Sequence, residues 1–347
     1  MRIWFDMITP KHLLFLEPMA ARLEGVLRTT RRYGEVSPLL KIRGVRAVEA
    51  GRHGGSSREG KLGAGLERMA LLVKAVKRFS PDLSVACSSP EAARVAYGLG
   101  IPHVSFADSP HAEAVMRLTV PLAGRLLTPW IFPRSEFARF GIDPDKIIRY
   151  RSIDAAVTAR REPAGPPVPF DRDRPTILVR AEEGQAAYAK GGGRTVPIIR
   201  ALLDKHKDKE VAILARYPVQ RRELRAAFGN RIRIMGMSHD GRRLLDGCDV
   251  FVGSGGTMTA EAALLGVPTV SYDAVPNAVE KYLVRRGLAR RGRTPGSVAS
   301  MINGMIRSRK KTARKAGVEL ARMEDPFYTL EKAARALGTK LDVRAST

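Results

Sequence analysis

The stretch CDVFVGSGGTMTAEAALLGVPTVS, residues 248–271, leaves this chain few folds to choose from. A short apolar run, Val250 to Val252, passes through Gly253, Ser254, Gly255 and Gly256 into a segment with helical spacing at Met258, Ala262 and Leu265. Gly266 stops that helix, and Pro268 opens a second apolar run at Thr269 to Ser271. The spacing predicts a strand, a glycine turn, a helix and a further strand. Such a turn leaves the backbone N–H groups of Gly255, Gly256 and Thr257 unpaired at a helix N-terminus, where the macrodipole adds roughly half a positive charge. Anions, phosphates most often, bind at such places. Glu261 falls seven residues after Ser254, about two helical turns on, within reach of a ribose hydroxyl pair beside a bound phosphate. Glycine turns of this kind also serve as plain connections; the added hydroxyls and acid favour a nucleotide diphosphate here.

The same alternation runs along the whole chain. Ile3 to Phe5 reads as a strand ending at Asp6, and the loop MITPKH leads into a helix with Leu13, Leu16, Met19, Ala20 and Leu23 on one side. Loops at the C-terminal ends of strands are where open α/β sheets place ligand-contacting groups, so Asp6 and His12 are candidates for chemistry. A capping or exposed imidazole is the plain alternative for His12. Val45 to Val48 is expected as a strand, followed by a glycine and serine loop in which His53, Gly54 and Gly55 stand out as a ligand loop or a mobile surface loop. A helix with Leu66, Met69, Leu72, Val73, Val76 and Phe79 follows, then strands at Leu83 to Cys87, His103 to Phe106 and Arg125 to Thr128. Ser88, Ser89 and Pro90 start a helix between the first two of these. Asp108, His111 and Glu113 sit at another strand's C-terminal end, where Asp108 is either a functional acid or a helix N-cap.

Residues 161–175, rich in proline and charge, read as a linker between a domain over residues 1–160 and a second over residues 176–347, whose last helix is allowed to pack back on the first. The second series has strands at Thr176 to Val179, Val211 to Leu214, Arg231 to Met235, Val250 to Val252 and Thr269 to Ser271. Arg180, Glu182 and Glu183 close its first strand, and Gly191 to Gly193 form a loop before a helix starting near Thr195. That loop lacks the Lys-Ser or Lys-Thr of a P-loop and reads as a lid. Alternating strands and helices imply parallel sheets covered on both faces. The expected fold is therefore α/β: two doubly wound, Rossmann-like domains facing a central cleft. No glycine-rich dinucleotide fingerprint follows the first strand, which disfavours a hydride-transferring dehydrogenase.

Net charge is +25, which favours anionic partners. Between Lys281 and Lys315 ten or more cations meet no acid in sequence, so a peripheral contact with an anionic membrane face is one expectation. Without interleaved aromatics or an RNP, KH or zinc-finger spacing, sequence-specific nucleic-acid reading is not expected. Cys87 and Cys248 alone give no disulfide framework or cysteine-based zinc site. No apolar run approaches the roughly 18 residues of a membrane span, and a cytoplasmic protein is expected.

The pattern WFDMITPKHLLFLEP, the His53-Gly54-Gly55 loop, Asp108 to Ala112, Arg180 to Glu183 and GSGGTMTAEAALLGVPTVS resemble the archaeal family called domain of unknown function 354 (DUF354). That family is similar to the GT-B superfamily of UDP-N-acetylglucosamine 2-epimerases and MurG-type glycosyltransferases. The resemblance implies two Rossmann-like domains with a UDP-linked nucleotide-sugar between them, the nucleotide held mainly by the C-terminal domain. On it, Ser254, Gly255, Gly256 and Thr257 match the diphosphate turn, Glu261 the ribose-contacting acid of MurG-like enzymes, and His12 the first-loop region of inverting enzymes. The chain lacks the paired glutamines by which MurG-like proteins hold the donor sugar.

The leading expectation is sugar transfer from a nucleoside-diphosphate sugar to an unknown acceptor, with His12 or Asp108 as base and Arg180 or Arg216 supporting the diphosphate. No metal or other cofactor is expected. The second is epimerisation at sugar C2, drawing on Asp108, Glu113, Glu182 and Glu183. The third is a non-catalytic polyanion-binding protein, for nucleic acid or anionic lipid.

Overall fold

The computed structural model describes residues 1–34, 36–171, 173–182, 193–236, 239–272 and 277–344. The chain forms two compact units: Met1–Val157 with Glu324–Thr347, and Thr158–Met323.

The sheet of the first unit is built from β1 (Ile3–Asp6), β2 (Val26–Arg32), β3 (Val48–Arg52), β4 (Leu83–Cys87), β5 (His103–Phe106), β6 (Arg125–Pro129) and β7 (Ile147–Tyr150). Its order is β3-β2-β1-β4-β5-β6-β7, every pair parallel. Successive side chains alternate between faces: Phe5, Val85 and Val104 enter one core with Phe15 and Leu16, while Trp4 and Ala86 enter another with Leu72 and Val76. Both faces are thus apolar and covered by helices, as a parallel sheet requires. The helix Pro326–Arg335 completes the first of these cores with Phe327, Leu330, Ala333 and Ala334.

The second unit repeats the plan with β8 (Thr176–Arg180), β9 (Glu210–Leu214), β10 (Arg233–Met235), β11 (Val250–Gly253), β12 (Thr269–Ser271) and β13 (Ala289–Arg291). The order is β10-β9-β8-β11-β12-β13, again parallel. Ile177 and Val179 pack with Ile213 and Val252 on one face, Leu178 with Ala212 and Phe251 on the other. In each unit the strand order reverses beside the first strand, between β1 and β4 and between β8 and β11. Ligands of doubly wound sheets bind at the C-terminal ends of such strand pairs.

Several expectations need correction. Residues 161–175 are no free linker: Val168 and Phe170 pack against the core of the second unit. Ala164 N–H donates to Asp240 at 2.8 Å, and Asp171 N–H to Glu210 at 2.8 Å. Apolar residues set among the prolines give this segment something to bury. The second unit ends at Met323, and residues 324–347, with the helix Pro326–Arg335, return to the first. The strand expected at Val45 to Val48 begins at Val48 and runs through polar residues, because β3 is an edge strand with its outer face in solvent. The strands β2, β7 and β13 were not expected, since their arginines mask the apolar alternation.

Candidate functional site

In the second unit the glycine turn follows β11 and opens the helix Thr257–Leu264. Gly255 has φ +86°, a left-handed backbone that side chains with a Cβ rarely adopt. Its N–H donates to Thr259 Oγ1 at 3.2 Å, so one of the three donors expected to be open is already satisfied from within the helix. Among the described residues nothing accepts from the N–H of Gly256 or Thr257. Asn277 holds the turn from behind. Its Nδ2 donates to the Gly255 carbonyl at 3.0 Å, and its Oδ1 accepts from Glu280 N–H at 2.8 Å. Glu280 is buried and paired with Arg291. Ser271, fully buried at the end of β12, keeps an unpartnered Oγ on the same side, 3.4 Å from where a Cβ on Gly255 would stand. Sequence reading missed Asn277; its place as N-cap of the helix Ala278–Arg285 was the available signal.

Glu261 is 6% exposed and bonded to the Thr158 hydroxyl. Desolvation, then the nearby Asp240 carboxylate, push its carboxyl up from 4.5 to about 7, against the pull of Arg161 and Arg180. Ser254 is half-buried and Gly253 buried; a Cβ on Gly253 would lie 2.5 Å from the Phe251 ring. Arg180 is buried at the end of β8, its carbonyl accepting from Tyr272 Oη at 2.9 Å. Arg216 Nε donates to the Ala181 carbonyl at 3.1 Å. Glu182 is occupied elsewhere: Oε1 accepts the N–H groups of Gly193 and Arg194, each at 2.9 Å, and that of Thr195, where the helix Thr195–Lys205 begins, at 3.3 Å. Glu183 and the glycines at 191 and 192 lie outside the described residues.

In the first unit Asp6 is fully buried and surrounded by donors. Arg68 Nη2 lies 2.5 Å from Oδ1, Thr29 Oγ1 donates to Oδ1 at 2.7 Å, and Ser89 Oγ donates to Oδ2 at 2.6 Å. Trp4 Nε1 extends the network by donating to Thr29 at 2.7 Å. Desolvation opposes ionisation, but the Arg68 charge and these donors hold the Asp6 carboxyl below its ordinary range. The catalytic role expected of Asp6 therefore gives way to a structural one: no face of the carboxylate is left for a substrate.

Lys11 and Asp108 are the chemically distinctive pair. Lys11 Nζ lies 2.5 Å from Asp108 Oδ2 and 3.0 Å from Asp154 Oδ2, and Tyr150 Oη donates to Asp154 Oδ1 at 2.5 Å. Desolvation opposes the charge on Lys11, yet the two carboxylates keep it raised and cationic. Desolvation likewise opposes ionisation of Asp108, and Lys11 with Ser109 brings its carboxyl below the usual range. Asp154 goes the other way, its carboxyl raised by desolvation. Both Asp154 oxygens accept, Oδ1 from Tyr150 and Oδ2 from Lys11, so it is a second counter-ion to the ammonium beside Asp108. Asp108 caps no helix, since Glu113–Thr119 starts at Ala112 without a side-chain cap.

The other expected groups fare unequally. His12 stands beside Lys11 in the first turn of the helix Pro10–Ala21, where desolvation and the Lys11 charge push its imidazole down to about 3. It is neutral at physiological pH and a weak base. His111 is exposed, with a lowered pKa from desolvation. Glu113 is exposed and paired with Arg117 at 2.6 Å. His53 Nδ1 accepts from Gly55 N–H at 3.1 Å, and its ring lies 4.9 Å from that of Tyr33. A Cβ on Gly54 would stand 2.3 Å from the Gly60 carbonyl, so this glycine allows the loop to approach the helix Arg58–Phe79 closely. Of the basic run, Arg286, Arg291 and Arg309 are neutralised by Glu319, Glu280 and Asp249, acids outside it. No described helix is long and apolar enough to cross a membrane.

The family described as "Protein of unknown function (DUF354)" matches residues 1–335. The uncharacterized protein MJ0665 of Methanocaldococcus jannaschii is 29% identical over 302 residues, 82% of this chain and 85% of that one. Among solved structures, the UDP-GlcNAc 2-epimerase of Neisseria meningitidis bound to UDP-GlcNAc aligns with a TM-score of 0.71 at 15% identity, covering 97% of this chain and 99% of that one. Anabaena Alr3699/HepE in complex with UDP-glucose aligns at 0.65 and 17% identity over 97% and 99%. The spinosyn forosaminyltransferase SpnP aligns at 0.62 and 15% identity over 96% and 98%. The fold is that of the GT-B enzymes, epimerases and glycosyltransferases alike.

Proposed function

This chain belongs to the DUF354 family, and from that premise we propose that it binds a nucleoside-diphosphate sugar and transfers the sugar to an acceptor hydroxyl. The observation that carries this reading is the turn at Gly255 to Thr257, with two N–H groups open at a helix N-terminus and an unpartnered buried hydroxyl, Ser271, beside them. The diphosphate oxygens take those donors, and the same donors stabilise the charge that builds on the leaving diphosphate. Glu261 binds the ribose. The Neisseria epimerase was solved with UDP-GlcNAc and the Anabaena protein with UDP-glucose, which favours a UDP-linked donor. Asp108, ionised beside Lys11, is the base that takes the acceptor hydroxyl proton, and Lys11 remains balanced by Asp154 once Asp108 is protonated. The free cations of the basic run add a peripheral contact with anionic surfaces.

Epimerisation at sugar C2 is the second reading, favoured by the presence of two carboxyls, Asp108 and Asp154, on one ammonium. In it one carboxylate removes the C2 proton as the C1–oxygen bond to the diphosphate breaks; the diphosphate then re-adds while a proton returns to the opposite face.

Thermal-shift titration with UDP, UDP-GlcNAc, and GDP and TDP sugars tests the common premise, because a ligand of the folded state raises the melting temperature by mass action. Stabilisation of the wild type and not of Glu261→Ala is expected; none by any nucleotide ends the reading. Incubation with the bound donor in D2O separates the alternatives. Deuterium entering C2 without acceptor denotes epimerisation, whereas its absence with acceptor-dependent UDP release denotes transfer.

A further inference from the structure

A second recess lies in the first unit, at the far edge of its sheet. It has a volume of about 580 Å³, within the range of small-molecule sites. Three strands, β4, β5 and β6, separate its edge strand β7 from β1, the strand that leads to Lys11. Trp130, just past the end of β6, forms one wall, half-buried, its backbone N–H donating to the Tyr150 carbonyl at 2.9 Å. Four cations converge on the recess: Arg134, Arg149, Arg151 and Lys332. None of them is paired with a carboxylate among the described residues. The one acid present, Glu324, turns its Oε1 to the backbone N–H of Arg151 at 2.6 Å, and its own N–H donates to the Arg151 carbonyl at 3.0 Å. That acid fastens the chain to the end of β7, and its single charge leaves the four cations in excess.

A concave wall on which one sign of charge predominates concentrates counter-ions. Guanidinium groups match phosphate oxygens in a fork, and an ammonium adds a point charge. An aromatic face offers stacking area to a ring or aliphatic body. We propose that this recess binds a phosphomonoester, its phosphate held by Arg134, Arg149, Arg151 and Lys332 and its organic body lying against Trp130. The phosphate comes from a soluble sugar phosphate or from a lipid headgroup. Its residues are other than those of the nucleotide turn.

The chain carries its own reporter. Of its two tryptophans, Trp4 is fully buried in the Asp6 network and Trp130 lines the recess, so a neutral quencher such as acrylamide acts mainly on Trp130. Full-length protein is titrated with glucose 6-phosphate, with glucose, and with vesicles of phosphatidylcholine with and without phosphatidic acid, while acrylamide quenching is followed. Saturable protection by glucose 6-phosphate and none by glucose is the expected result for a soluble ligand; protection only by phosphatidic acid vesicles assigns the headgroup source. In either case Arg149→Ala with Arg151→Ala weakens the midpoint at least tenfold, Lys332→Ala weakens it less, and Trp130→Phe abolishes the signal. Protection by neither phosphate source overturns the proposal. So does protection that survives unchanged in the double arginine variant.

Discussion

The two units share a strand order but fill their switch points in opposite ways. At the C-terminal ends of β1 and β4, side chains occupy the crevice: Asp6 takes Arg68, Thr29 and Ser89, and Lys11 is enclosed by Asp108 and Asp154. Past the C-terminal end of β11, glycines keep side chains out, and backbone donors remain open at Gly256 and Thr257. The difference teaches that topology fixes where a ligand goes, while the residues of the first loop decide whether that place is a charged interior or a backbone cradle.

The sharpest way to break the comparison is Arg68→Ala. If Asp6 is structural, stranding its buried carboxylate costs about 3–5 kcal/mol, read as a lower urea midpoint, while nucleotide affinity in the surviving folded protein is unchanged. An equal loss of affinity would make both switch points ligand sites.

Glu261→Gln comes next. Because the folded-state pKa is raised from 4.5 to about 7, the native state favours the protonated form. The stability this contributes is complete below pH 4.5 and is lost as pH rises through 7. At pH 8 the buried charge costs about 3 kcal/mol. The variant, which cannot ionise, is expected to exceed wild-type stability by about that amount at pH 8 and to match it near pH 4, by denaturant titration at both pH values. Weaker UDP binding should accompany the gain.

Legibility from sequence follows the same division. The turn at residues 253–257 could be read because glycines, a strand and a helix are contiguous. Lys11 could not: a lysine in a loop looks solvated, and its partners Asp108 and Asp154 lie far off along the chain. Arg68 was hidden differently. The helix Arg58–Phe79 was expected to bury Leu66, which is 54% exposed, whereas the buried stripe is Ala64, Arg68, Leu72 and Val76. A spacing of four through those positions marks Arg68 as inward-facing, but a strict apolar count passes over an arginine. The ends of β4, β5 and β12 were legible because each is a short run around a valine set between turn residues.

Asp108→Asn sharpens the first unit's side of the comparison. Loss of the base is expected to lower kcat about a hundredfold, some 2.7 kcal/mol of barrier, with little change in KM for the nucleotide-sugar. The smallest expected effect is Asn277→Ala, which removes the bridge between Gly255 and Glu280. A net hydrogen bond is worth about 1 kcal/mol, so UDP affinity measured by calorimetry should fall roughly five- to tenfold, with catalysis at saturation unaltered.

The chain leaves the first unit at Val157 and comes back at Glu324, which sets an order of events on the ribosome. Domains generally fold as units during synthesis, yet the first to be started here is the last to be finished. Phe327, Leu330, Ala333 and Ala334, part of its core, are translated only after the whole of the second unit. Until they arrive, the face of the sheet that they cover stays apolar and open. A nascent chain of this design exposes a patch for chaperones for as long as the second unit is being made, and deletion of the helix Pro326–Arg335 would leave the nucleotide turn intact on a protein prone to aggregate.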